Sequence, residues 1–115
     1  MDQYNFSLDQ GSTFNLSMSY RDSANNVVDL RGVNARMQMR SSLGTPVKLL
    51  EISTDDMTQM WVSPTGDTLS IKIPSSLTET LPPSVVVYDV EVTFPNGDVT
   101  KLLKGRCRII GEVTR

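Results

Sequence analysis

Val85-Val-Val-Tyr-Asp-Val-Glu-Val-Thr-Phe-Pro-Asn-Gly-Asp-Val-Thr-Lys-Leu-Leu-Lys-Gly-Arg-Cys-Arg108 reads as one long β-hairpin closed by Asn96-Gly97. An Asn-Gly pair between two alternating apolar runs is the strongest short-range hairpin signal, because both residues tolerate the positive φ of a type I′ turn. A two-residue turn fixes the register. Phe94 then faces Val99, Val92 faces Lys101, Val90 faces Leu103, Tyr88 faces Gly105 and Val86 faces Cys107, a nearly continuous apolar face. Tyr88 lies over a glycine and covers backbone that would otherwise be bare. The opposite face sets Asp89 across from Lys104 and Val87 across from Arg106, with Glu91 beside them. One side is core and the other a charged exterior.

Outward from the hairpin, period-two alternation continues along the chain. Tyr4, Phe6 and Leu8 suggest a first strand, and Phe14, Leu16, Met18 and Tyr20 a second. Val27 to Leu30 reads as a short extended piece after the turn cluster Asp22 to Asn26. Val33, Ala35, Met37 and Met39 alternate with Asn34, Arg36, Gln38 and Arg40, a half-buried strand with a polar outer face. Val47 to Ile52 and Met60 to Val62 are further strands. Pro64-Thr-Gly66 then turns the chain into Leu69, Ile71 and Ile73. In Pro74 to Pro83, Ser75 or Ser76 is placed to cap a single helical turn that Pro82 stops. Short strands with turns every ~8–12 residues predict an all-β chain, an antiparallel immunoglobulin-like β-sandwich of about seven strands. The cysteine pair and intervening tryptophan of antibody domains are missing. Tyr88, just after the irregular crossover, is a candidate tyrosine corner that ties its hydroxyl to the loop backbone.

The 115 residues are expected to form one domain, 1–115, long enough to bury a core without staples. Hydrophobic residues make up 38% and charged ones 21%, and no apolar run approaches the ~20 residues of a membrane span. The N-terminus has no basic segment followed by an apolar one, so no secretory signal is expected. A net charge of -2, with cations scattered opposite acids and not gathered into a stripe, predicts no nucleic-acid partner. There is no histidine, which excludes Ser-His-Asp and Cys-His catalysis and removes the commonest zinc ligand. Cys107, the single cysteine, falls on the apolar face and reads as a small core hydrophobe, with an intermolecular bridge or reactive thiol as the alternative.

Other side-chain groups yield bland readings. Asp55-Asp56, with Thr54 and Glu51 nearby, lacks the alternating oxygen ligands and terminal glutamate of a calcium loop, and reads as solvated. Asp89 and Glu91 share one side of a strand as glycosidase carboxylates do, yet cross-strand ion pairs with Lys104 and Arg106 account for them. Trp61 is either a core residue or an anchor for a partner. Met18, Met37 and Met39 read as core filler. Gly11, Gly66 and Gly105 are isolated, with no phosphate-cradling loop among them. With no export signal expected, the sequons at Asn5 and Asn15 are expected to be chance matches. No catalytic, cofactor-binding or metal-ligating residue is expected, and no cofactor.

Three segments carry a resemblance. Tyr4-Asn-Phe-Ser-Leu-Asp-Gln-Gly-Ser-Thr-Phe14 resembles the start of small virion proteins of tailed bacteriophages. Val28-Asp-Leu-Arg-Gly-Val-Asn-Ala-Arg-Met-Gln-Met-Arg-Ser41 is similar to their middle segment. Val87-Tyr-Asp-Val-Glu-Val-Thr93, Asn96-Gly-Asp-Val-Thr-Lys-Leu-Leu-Lys-Gly105 and Glu112-Val-Thr-Arg115 are similar to their close. The likeness is weakest from Thr45 to Leu81, and the chain departs from the pattern at Pro95 and at Cys107-Arg108. Related immunoglobulin-like modules stand at the N-terminus of baseplate proteins that hold receptor-binding proteins. The resemblance implies a non-enzymatic virion structural protein, made in the host bacterial cytoplasm and present in several copies. Its implied place is the tail or baseplate, docked on other virion proteins, with capsid decoration as the first alternative. A host receptor- or carbohydrate-binding module is the second. No membrane partner is expected. The first strand, Gln3 to Leu8, and the tail, Gly111 to Arg115, are the candidate segments for adding a strand to a neighbour.

Overall fold

The computed structural model describes residues 2–113 and is built from nine strands and one helical turn. The strands are β1 (Asp2–Gln3), β2 (Phe6–Asp9), β3 (Phe14–Met18), β4 (Asn34–Arg40), β5 (Leu50–Ser53), β6 (Met60–Val62), β7 (Leu69–Ile73), β8 (Val85–Thr93) and β9 (Val99–Ile110), with α1 at Ser75–Thr78. The larger sheet runs β1-β9-β8-β4-β5, with β2 also pairing β9, and the smaller runs β3-β7-β6. β4, β8 and β9 occupy the C, F and G positions of an immunoglobulin sandwich, β5 extends them as C′ does, and β3, β7 and β6 run as B, E and D. The expected immunoglobulin-like sandwich is present. All pairings within it are antiparallel except those of β1 and β2, which join β9 in parallel. Val27 to Leu30 is not a strand; only an isolated bridge joins Arg21 to Val27.

The β8–β9 hairpin differs from the sequence expectation at its tip. Phe94 N–H donates to the Asp98 carbonyl (2.8 Å) and Gly97 N–H to the Phe94 carbonyl (2.9 Å), which makes Pro95-Asn96-Gly97 a three-residue loop. Gly97 has φ 94°, whereas Asn96 is not among the residues with positive φ, so the turn is not type I′. Proline explains this. A two-residue turn would need the Pro95 nitrogen to donate to Asp98, and it has no hydrogen. Pro95 instead serves as the second residue of an ordinary turn, with Gly97 in the left-handed region after it.

The longer loop moves the register by one, pairing Glu91 with Lys101 and Thr93 with Val99. A bulge between Val90 and Glu91 absorbs the extra residue, Leu102, and restores Val90↔Leu103, Tyr88↔Gly105 and Val86↔Cys107 as expected. Consecutive residues Leu102 and Leu103 are both buried, which an unbroken strand would not allow. Val99 and Lys101, expected inside, stand on the outer face.

The first strand is expected as one piece but breaks at Tyr4-Asn5 as it crosses Gly105. A Cβ at Gly105 would run into the Tyr4 carbonyl oxygen and approach Asn5 Oδ1 within 2.8 Å, so only glycine lets the chain pass. The break is latched by neighbours. Tyr4 N–H donates to the Lys104 carbonyl (2.8 Å), the Tyr88 hydroxyl to the Tyr4 carbonyl (2.5 Å) and Arg106 N–H to Asn5 Oδ1 (2.9 Å). Tyr88 is therefore not a tyrosine corner: its hydroxyl reaches across the sheet to the N-terminal strand, not back to its own loop. Phe6 stacks on Phe14 (ring centroids 4.7 Å) and meets the Tyr88 ring edge-on (4.9 Å). Burial raises the Tyr88 phenol above its ordinary range. Strands β1 and β2 thereby cover much of the β9 edge that would otherwise template foreign strands.

Inward residues of both sheets meet in one core. Met37, Met39, Val90, Val92, Met60, Ile71 and Ile73 are sealed from solvent, and Leu30, Leu81 and Ile109 close it. Each aliphatic side chain so buried contributes about 1.5–3 kcal/mol. At α1, Pro74 and not Ser75 or Ser76 is the N-cap, and no side chain caps it. The turn is held by Thr78, whose buried hydroxyl donates to the Ser12 carbonyl (2.8 Å) and accepts from Gly11 N–H (3.1 Å).

Candidate docking surface

Period two turns the polar residues of β4, β5, β8 and β9 onto the outer face of the larger sheet. Its β4–β8 half is an ion-pair network. Arg36 meets Glu91 (2.7 Å), and Lys101 meets both Glu91 (2.6 Å) and Asp89 (3.1 Å). Asp89 lies opposite Lys104 in register, as expected, but the bulge brings Lys101 outward and Lys101 takes its carboxylate. A shallow groove of about 360 Å³ beside the network is lined by Asn34, Arg36, Ser53, Asp55, Glu91 and Thr93.

The ammonium of Lys101, helped by Arg36, holds the Glu91 carboxyl below its ordinary value of 4.5. A depressed carboxyl stabilises the fold above that value and loses its contribution as pH falls through the folded-state value. Glu91→Gln is therefore expected to cost roughly 1 kcal/mol at pH 7, a deficit that shrinks toward zero in acid. Urea denaturation of both proteins at neutral and acid pH measures it; a deficit independent of pH would contradict the ion-pair account.

Beyond Lys101, the rest of β9 differs. Lys104, Arg106 and Arg108 are exposed at alternate positions, and none forms an ion pair among the described residues. Their side chains form a cationic stripe, contrary to the expectation that the cations are scattered opposite acids. Val87 and Val85 lie opposite Arg106 and Arg108 on β8. Val85 and Ile110 are 56% and 44% exposed. Two shallow grooves flank Arg108, one lined by Asn5, Ser7 and Arg106, the other by Pro83 and Ile110, with Val85 on both.

The other candidate residues are dispersed. Glu51 is bound by Lys48 (3.1 Å) and by the Gln38 amide, while Asp56 accepts from Thr58 N–H (3.0 Å) and hydroxyl (2.5 Å). Asp55 N–H donates to Ser53 Oγ, and Thr54 Oγ1 accepts from Ala35 N–H. Glu51 thus stands on β5 facing Gln38 of β4, while Asp56 holds the turn after β5, so the acids do not converge on one point. Among the described residues no three His, Cys, Asp or Glu side chains gather as metal ligands would. Cys107 is buried, and burial pushes its thiol up to about 11. Met37 and Met39 are core residues and Met18 packs against the core.

Trp61 is not in the core. It points outward from β6, partly exposed, across from Ser70. Asn5 is occupied by its bond to Arg106. Of the two segments expected to reach a neighbour, Gln3 to Leu8 is committed to β9. Within the tail, Glu112 N–H donates to Gln10 Oε1 (3.2 Å) and Val113 is exposed, while Thr114 and Arg115 lie outside the described residues. The cationic stripe is legible as Lys104-x-Arg106-x-Arg108: Arg106 and Arg108 face valines in the expected register as in the observed one, and the bulge adds Lys104 by giving Asp89 to Lys101.

No protein-family model and no curated protein matches the chain. Among solved structures it is similar to murine CRIg, at 12% identity and a TM-score of 0.38, over 94% of this chain and 92% of that one.

Proposed function

We propose that the chain is a non-enzymatic structural protein of a tailed-bacteriophage virion, a tail or baseplate component that docks other virion proteins. The observation that carries this reading is where the resemblance-bearing segments lie. Residues 4–14, 28–41 and 87–105 supply β2, β4, β8 and most of β9, which pair with one another in the larger sheet. The motif residues Tyr4, Asn5, Tyr88 and Gly105 latch that sheet, so the likeness is one of construction and not of a reactive centre. A chain built this way meets its neighbours through its exterior, which has β5 at a sheet edge and, beside β8, cations without an ion pair among the described residues.

Immunogold labelling of purified particles tests the reading. Label on the tail or baseplate is expected. Label on the head shell would replace it with capsid decoration, and absence from particles would end it. A second reading, a carbohydrate-binding module, is favoured by the outward Trp61 beside the Ser70 and Ser17 hydroxyls. Glycan-array binding abolished by Trp61→Ala would establish it.

A further inference from the structure

We infer that the outer face of β9 is a docking site for an extended acidic segment of a partner protein, with carboxylates at alternate positions. The inference rests on the docking function just proposed and names its surface. Lys104, Arg106 and Arg108 project from one face of one strand, so their Cα atoms repeat at about 6.6 Å, the spacing of every second residue in another extended chain. A strand laid along β9 with acidic side chains facing it meets one cation per repeat.

The charge balance makes these three distinctive. The chain carries net -2, and neighbouring Asp89 and Glu91 are already engaged by Lys101. Asp9 of β2, in register with Ile110, is exposed at the end of the stripe and forms no ion pair among the described residues, so the three cations exceed the free acid beside them and leave net positive charge to be met by a partner. Arg106 and Arg108 supply planar forks matched to carboxylates, which a lysine ammonium does not. The flanks decide the class of partner. Val85, Val87 and Ile110 border the cations, and the shallow grooves on either side of Arg108 suit the methylene stems of acidic side chains whose carboxylates reach the guanidinium. A nucleic acid would set further phosphates against that apolar border and against a chain of net negative charge. A polypeptide sets the aliphatic stems of its acids there and turns its alternate, uncharged residues to solvent.

Fluorescence anisotropy with a short labelled peptide alternating glutamate and threonine tests this on the full chain. The alternating peptide is expected to bind more tightly than one of the same composition with its glutamates contiguous, and more tightly than a single-stranded oligonucleotide. R106A/R108A is expected to weaken binding at least about tenfold, and added salt to weaken it further. R106E/R108E is expected to lose the glutamate peptide and gain one alternating lysine and threonine. Both sites are exposed, so circular dichroism should show each variant folded. Binding unchanged in the variants, no preference for alternation, or an oligonucleotide that competes equally would overturn the proposal. Particle labelling reports separately: tail label without peptide binding leaves docking to another face, and peptide binding without label leaves the site but removes the virion.

Discussion

Gly105→Ala is expected to destabilise the fold by about 3 kcal/mol, toward the upper end of what overpacking costs. The added methyl has nowhere to go. The Tyr4 carbonyl lies over Gly105, and it is backbone held from both sides, by Tyr4 N–H on the Lys104 carbonyl and by the Tyr88 hydroxyl. Relief requires lifting the Tyr4-Asn5 break away from β9. That costs the Tyr88 and Asn5 hydrogen bonds and loosens the packing of Phe6 on Phe14 and Tyr88. For a chain of this size the loss corresponds to a fall in Tm of roughly 10 °C or more.

Tyr88→Phe isolates the latch. Alone it is expected to cost about 1 kcal/mol, and in the Gly105→Ala background almost nothing, because the strand has already left. Urea denaturation of the four proteins measures the coupling. A Gly105→Ala protein within about 0.5 kcal/mol of wild type, or strictly additive variants, would mean that the N-terminal strand does not press on Gly105.

How much of this was legible depends on what the sequence pattern encodes. Alternation at Ala35, Met37 and Met39, at Leu69, Ile71 and Ile73, and at Val86 to Val92 places those side chains correctly, because a sheet with one buried face enforces period two. The Tyr88–Gly105 pairing was also readable, but not the reason for it: the glycine makes room for a strand about a hundred residues earlier, and no local signal marks such a crossing. Trp61 was ambiguous because a three-residue strand has too few positions to display a period. For the docking surface, the alternate cations and the valines across from Arg106 and Arg108 are visible in the sequence, and the isolation of Lys104 is not. Read with an unbroken hairpin, Lys104 neutralises Asp89; in the structure Lys101 does so, and Lys104 is freed. Two local features pointed to this change, the proline before Asn96-Gly97 and the consecutive leucines 102 and 103.

The bulge makes a second large effect predictable, through a contrast between two residues that simple alternation assigns the wrong way round. With a two-residue turn Val99 and Lys101 face the core and Leu102 faces water. With the three-residue loop Leu102 is 6% exposed and Val99 58% exposed. Leu102→Ala is therefore expected to cost about 2–4 kcal/mol, the transfer free energy of the lost atoms plus that of the space they leave. Val99→Ala is expected to stay within about 0.5 kcal/mol of wild type, as exposed substitutions do. Aspartate sharpens the contrast. Leu102→Asp buries an unpaired carboxylate and is expected to leave no folded protein at room temperature, while Val99→Asp folds normally. Equilibrium denaturation ranks all four. If the two positions exchanged roles, the hairpin would have to close on Asn96-Gly97 alone; Lys101 would then turn inward and Asp89 would fall to Lys104, leaving Arg106 and Arg108 as the free cations of the stripe.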